Sequence, residues 1–231
     1  MKLNYGIIGT GMMGCEHIRN LKKIPDVTIS AISDPNETSR EWGMHACGDT
    51  FKPEQYSNYK DLLACDEIDV VVVASPNFTH IDVMRDIFET EKHVLLEKPM
   101  CTNLSDGIEV LEKSKKHKGI VWIGLEYRFM APIKSLIDQA ENVGSIKMLS
   151  IREHRFPFLE KVDDWNRFNK NTGGTLVEKC CHFFDLMNLL LPSKPIKIYA
   201  SGGQDVNHLN ERIKGMTPDI IDNSFVLIDY E

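Results

Sequence analysis

Apolar residues in the first half of the chain come in short runs, separated by stretches whose apolar spacing suits helices. Leu3-Asn4-Tyr5-Gly6-Ile7-Ile8 reads as a strand, and Cys15-Glu16-His17-Ile18-Arg19-Asn20-Leu21 as a helix. A second strand is predicted at Val27–Ile32. Val70-Val71-Val72-Val73-Ala74 is a continuous apolar run, as a parallel strand buried on both faces requires. A helix from about Thr79 to Thr90 leads to a strand at His93–Glu97, which stops at Lys98-Pro99. Asn103–Lys116 reads as a helix whose polar start and Lys-rich end complement its dipole. Gly119–Gly124 is a further strand. Such alternation implies an α/β architecture, a doubly wound parallel sheet closing near residue 124.

The second half has a different texture. A helix near Pro132–Glu141, a strand over Ser145–Phe156 and a Trp- and Asn-rich loop to Gly174 are predicted, followed by an apolar helix over Thr175–Leu191. Ile196–Ser201 and Ser224–Tyr230 are strand candidates. Residues 125–231 are therefore expected to form an α+β domain with an open, mostly antiparallel sheet, after a nucleotide-binding domain over 1–124. The last strand runs to Glu231 without a turn. Because natural proteins cover or blunt an open sheet edge, a C-terminal truncation is expected.

The turn after the first strand carries the most specific chemistry. Gly9-Thr10-Gly11-Met12-Met13-Gly14 lies between strand and helix, and Asp34 follows twenty residues beyond Gly14 at the end of the second strand. Strand, glycines, helix and a spaced acid together form a dinucleotide-binding fingerprint, the mark of a Rossmann domain. Gly9 permits the tight turn, Gly11 lets backbone approach a pyrophosphate, and Gly14 lets helix pack on strand. The helix N-terminus then offers N–H groups and positive dipole to the phosphates. Asp34 favours NAD over NADP, since a carboxylate accepts both ribose hydroxyls and repels a 2′-phosphate, although Arg40 nearby softens that preference.

Ligands of open α/β sheets bind beyond the carboxyl ends of the strands, where Asp34, Ser75-Pro76-Asn77 and Glu97-Lys98-Pro99 all fall. Lys98 there can donate hydrogen bonds to a hydroxyl oxygen and stabilise developing negative charge, or it can be a solvated surface lysine. On a helix over 175–191, Glu178, His182 and Asp185 share one narrow polar face on an otherwise apolar surface. A buried carboxylate and imidazole need a partner or a wet cleft. Glu178, four residues before His182, can set its tautomer and prepare it as a general base, or the pair can be a core histidine with a structural acid.

Glycine turn, Ser75-Pro76-Asn77-Phe78-Thr79-His80, His93-Val94-Leu95-Leu96-Glu97-Lys98-Pro99, Tyr127-Arg128-Phe129, and Gly173-Gly174 through Glu178 and His182 resemble the Gfo/Idh/MocA family of sugar and cyclitol oxidoreductases over essentially the whole chain. The resemblance implies an NAD(P)-dependent dehydrogenase acting on a secondary alcohol of a sugar, sugar derivative or cyclitol. It implies that Lys98 and His182 flank the substrate carbinol beside the nicotinamide. Cofactor contacts then fall on Gly9, Thr10, Gly11, Met12, Met13, Gly14, Asp34, Ser75, Asn77, His80, Glu97 and Lys98. Arg128 and Trp165 join Lys98 and His182 at the substrate, and a homo-oligomer is expected of the full-length form. Two departures stand out: Glu178 where the family has Asp, and Lys179-Cys180-Cys181 where small residues are common. Two rivals remain, a glycosidase using transient oxidation by bound NAD and a non-catalytic dinucleotide sensor.

Bulk properties narrow the partners. At 231 residues and 42% hydrophobic, the chain has ample core for one or two domains. A formal charge of −7 argues against nucleic acid or an anionic membrane as partner. Its apolar runs are too short to span a bilayer, and the N-terminus enters a strand with no apolar leader. Six cysteines lack zinc or disulfide-framework spacing, which suits a reducing cytoplasm. Cys180 and Cys181, being adjacent, point to different helix faces, so no metal is expected with Glu178, His182 and Asp185.

Overall fold

A computed structural model describes residues 2–231. The chain divides into two compact units, one ending at Gly124 and the other Leu125–Glu231. In the first, six strands pair in parallel: β1 (Leu3–Ile8), β2 (Val27–Ser33), β3 (Glu54–Tyr56), β4 (Val70–Val73), β5 (His93–Glu97) and β6 (Val121–Gly124). Their order is β3-β2-β1-β4-β5-β6, with β1 and β4 adjacent at the centre. That is the doubly wound dinucleotide-binding order, whose reversal lies between the first and fourth strands. All four residues of β4 are buried, which explains its unbroken valine run.

Helices α1 (Met12–Leu21), α2 (Glu37–Cys47), α3 (Tyr59–Leu63), α4 (His80–Ile87) and α5 (Leu104–Ser114) connect these strands. Two apolar clusters form the core. One gathers Ile7, Ile18, Ile29, Ile32 and Val72. The other gathers Val71, Val73, Met84, Ile87, Val94 and Leu96. The sheet thus has its crossovers packed on it through β-branched and leucine side chains. Neither β3 nor α2 nor α3 was visible as an apolar pattern. β3 has two exposed residues of three, and α2 carries an exposed Trp42 among charged neighbours.

The second unit is built of shorter pieces. A 3₁₀ turn at Glu126–Phe129 precedes α6 (Ala131–Gln139), and an irregular stretch leads to a kinked 3₁₀ segment at Val162–Arg167. Then come α7 (Asn169–Thr172), α8 (Thr175–Glu178) and α9 (Cys181–Leu190). β7 (Pro195–Gly203) and β8 (Asn223–Tyr230) form an antiparallel pair. A doubly wound parallel sheet followed by an α+β region with a small antiparallel sheet is the expected fold class.

Two expected elements differ. The strand expected at Ser145–Phe156 is not formed: among the described residues no ladder partner meets its N–H and C=O groups, and alternation alone cannot make a strand. The helix expected over Thr175–Leu191 is split, with Lys179 (φ −109°) and Cys180 (ψ −2°) leaving α geometry between α8 and α9. The break falls where the Lys179 ammonium is drawn to Glu178 Oε1 (3.3 Å) and the Phe158 ring (4.8 Å). Glu178 and His182 therefore do not share one continuous helix face.

Candidate functional site

In the first unit the expected cofactor residues gather at the carboxyl ends of β1, β2, β4 and β5. The glycine turn has three different reasons for its three glycines. Gly9 has φ +87°, and a Cβ there would lie 2.6 Å from the Ala74 backbone. At Gly14 a Cβ would lie 1.9 Å from the Gly9 carbonyl oxygen, so only glycine lets α1 close on the turn. Gly11 has ordinary extended φ and ψ and nothing within 4 Å of a Cβ. Nothing in the protein's own packing calls for glycine at 11, and the open space beside it suits a pyrophosphate approaching the backbone.

The end of α1 is prepared for an anion in the same way. Gly11 at its N-cap offers no side-chain cap, and no acid lies in the first turn. By contrast, Asn36 caps α2 through Ser39 N (3.0 Å) and Asn103 caps α5 through Asp106 N (3.0 Å). The first N–H groups of α1 are thus left to a ligand, where the dipole favours negative charge. Asp34, one residue past β2, takes the Thr10 N–H on Oδ2 and the Asn36 N–H on Oδ1, both at 2.9 Å. This fixes the carboxylate beside the turn. Arg40 does not oppose it there: its guanidinium is held on the Asp34 carbonyl (2.7 Å). Met12 and Met13 are exposed at the start of α1.

Beyond β4 and β5 the contacts are tighter. The His80 ring is fully buried between two carbonyls, Pro99 O at 2.9 Å from Nδ1 and Ser75 O at 3.1 Å from Nε2. Burial pushes its imidazole below the ordinary range, against the pull of those carbonyls. His80 therefore ties the Ser75-Pro76-Asn77 segment to the Glu97-Lys98-Pro99 segment. Ser75 Oγ is hydrogen-bonded with Thr79 Oγ1 (2.7 Å), and Asn77 is buried. Glu97 is buried, with Oε1 2.6 Å from His17 Nε2 and Oε2 accepting the Lys98 N–H at 3.1 Å. Burial pushes the Glu97 carboxyl up, but the His17 hydrogen bond, the His17 and Lys98 charges and that N–H outweigh it and hold it below the usual range.

In the second unit, His182 lies at the start of α9, 3% exposed. The Tyr127 ring stacks on it, centroids 4.0 Å apart and planes 5° from parallel, and Glu126 Oε1 is 3.5 Å from its Nε2. One turn on, Asp185 receives the Arg128 guanidinium through two hydrogen bonds, one of them Nε to Oδ2 at 2.6 Å. Three consecutive residues of one 3₁₀ turn thus grip one face of α9. Glu178 is buried and accepts from Lys179 Nζ. Trp165 is half-buried, its carbonyl accepting from Asn171 Nδ2 (2.9 Å). Arg128 is anchored by an acid, Asp185, that the sequence placed on the histidine's face; Tyr127 and His17 are the neighbours not foreseen as site residues. His17 was signalled only by standing three residues past Gly14, on the same side of α1.

A doubly wound sheet with a three-glycine turn, an uncapped helix and an anchored acid defines a dinucleotide-binding domain. Residues 3–125 match the domain described as the oxidoreductase family's NAD-binding Rossmann fold, and residues 134–231 match that family's C-terminal alpha/beta domain. The chain belongs to the Gfo/Idh/MocA family. It is 31% identical over 206 residues to the uncharacterized oxidoreductase YrbE of Bacillus subtilis, covering 87% of this chain. It is 29% identical over 202 residues to myo-inositol 2-dehydrogenase of Thermotoga maritima, again over 87% of this chain. The chain spans 58% of the length of each of these relatives. A crystal structure of a probable dehydrogenase from Thermotoga maritima superposes with a TM-score of 0.78 at 28% identity, over 99% of this chain and 66% of that one. Among the described residues no helix is long and apolar enough to cross a membrane.

Proposed function

We propose that the protein is an NAD-linked dehydrogenase acting on a secondary alcohol of a sugar, sugar derivative or cyclitol. The observation that carries the cofactor is Gly11, an extended-backbone glycine with open space at an uncapped helix N-terminus, beside the anchored carboxylate of Asp34. NAD rather than NADP follows from that carboxylate, which has ribose hydroxyls to accept and would repel a phosphate. Bound nicotinamide would supply the hydride acceptor. The substrate class is supported by the likeness to a myo-inositol 2-dehydrogenase.

The roles follow from side-chain chemistry. Lys98 stabilises the negative charge that develops on the substrate oxygen as hydride leaves. His182 takes the hydroxyl proton, and stacking on Tyr127 fixes its ring plane. Glu126, rather than the expected Glu178, orients His182 from 3.5 Å, Arg128 and Trp165 hold substrate hydroxyls, and Asn77 and His80 shape the cofactor side. The partner implied is a small polyol, and the working form is a homo-oligomer in the cytoplasm.

A panel of inositols, polyols and sugars, followed by absorbance of reduced nicotinamide, tests the reading. Reduction of NAD by at least one cyclitol or sugar is expected, with Lys98→Met and His182→Ala each lowering turnover about 10²–10⁴-fold while NAD binding persists. Turnover unchanged in both variants sinks the assignment. Tighter binding of NADP than of NAD sinks the cofactor preference.

A further inference from the structure

A carboxylate buried like that of Glu97 is costly unless each oxygen finds a donor. Here the two donors come from different elements. His17 on α1 meets Oε1 at 2.6 Å, and the Lys98 backbone N–H meets Oε2 at 3.1 Å. The reach of His17 depends on the glycine turn. Gly14 lacks the Cβ that would lie 1.9 Å from Gly9 O, so α1 closes down and carries His17, one turn on, to the end of β5. The other polar residues of this helix look elsewhere: Arg19 and Asn20 both bind Glu16 on its exposed face. His17 is turned to the strand end instead.

We propose that His17 is a positioning residue for Lys98: its ring fixes the Glu97 carboxylate, and the carboxylate holds the backbone and the charge of the lysine. The same helix that presents its N-terminus to the pyrophosphate thereby sets the cation one strand end away. Removing the His17 donor strands a buried carboxylate, which must then turn, hydrate or take up a proton. In each case Lys98 loses the fixed carboxylate that holds its backbone N–H. The consequence matters for catalysis because the proposed reaction uses Lys98 as a hydrogen-bond donor; in that respect the inference rests on the proposed function.

Competitive acetylation with acetic anhydride, read by mass spectrometry on the whole chain, measures this without turnover. The reading is the rate at Lys98 relative to that at exposed Lys23. His17→Leu and Glu97→Gln are each expected to raise the ratio about threefold or more, since the loss of one hydrogen-bonded anchor loosens the segment by a factor of that order. His17→Gln, which keeps a donor at the length of Nε2, is expected to return the ratio toward that of the unaltered protein. Should His17→Leu fail to fold by thermal melting, Glu97→Gln and His17→Gln decide. A ratio unmoved in the folded variants that lack the donor or the charge overturns the inference. Lost turnover in Lys98→Met with an unmoved ratio would leave the proposed function standing, and the reverse pattern would leave only the positioning.

Discussion

The two units hold themselves together by different means. Of the buried hydrophobic side chains among the described residues, twenty-six lie in the first unit and three, Phe168, Leu186 and Ile220, in the second. The second relies on polar ties instead. Arg167, its side chain 4% exposed, donates to Glu211 Oε2 (2.9 Å), Leu159 O (3.2 Å) and Asn166 Oδ1 (3.0 Å), and Glu211 also holds His208 (2.7 Å). Asn169 and Thr175 are fastened to Asp219 and to the Ile221 carbonyl, and Asp222 collects the N–H groups of Asp205, Val206 and Asn207. Apolar burial is additive and forgiving in detail, whereas such ties depend on single partners. The difference teaches where each half is vulnerable.

The contrast is sharpest in the core. Leu96→Ala, in a fully buried position of β5, is expected to cost about 2–5 kcal/mol in chemical denaturation of the first unit. A loss below the low end would mean that the sheet collapses around the gap. Gly14→Ala is expected to cost about 3 kcal/mol or more by overpacking and to abolish NAD binding. Gly11→Ala, in contrast, keeps the unfolding midpoint and loses only NAD affinity by titration. If both alanines lower the midpoint equally, the separate reasons assigned to the two glycines are wrong.

In the second unit a single polar change should act like a core deletion. Arg167→Leu takes a donor from the buried Asn166 Oδ1 and is expected to cost about 1–3 kcal/mol, moderated because Glu211 and Leu159 O can turn to water. Proteolysis of the 204–219 loop would report it, and a protection pattern like that of the unaltered protein would contradict it. The smallest effect is one of pH. Burial pushes the Asp222 carboxyl up, but the Asn207, Val206 and Asp205 N–H groups outweigh it and bring it down to about 2. Its folded value is depressed, so its stabilisation is complete above the unfolded value near 3.9 and fades as pH falls through about 2. The Tm gap between Asp222→Asn and the unaltered protein should narrow across that window; a gap constant down to the lower limit would refute it.

The same division decided what could be read from the residues. β4 was legible because a strand buried on both faces must be apolar throughout, and β5 by its Val94-Leu95-Leu96 run. The glycine turn was legible because each glycine answers a steric or ligand demand. β3, at the sheet's edge, has no apolar signature, and its pairing with β2 is a matter of backbone alone. Ser145–Phe156 reads as a strand yet meets no partner among the described residues, and local pattern cannot supply one. The apolar helix is interrupted at Lys179 and Cys180, a backbone change that no period of apolar residues encodes. Among site residues, Asp34 and Glu97 were found by motif. His17 and Tyr127 act through contacts across the fold, His17 with a residue 80 positions away.

His80 lies between two carbonyl oxygens, and its burial disfavours the doubly protonated ring. The loops bearing Asn77 and Lys98 are therefore fastened to each other through one ring. A substitution that displaces that ring frees both loops together, so one side chain acts as a keystone for two.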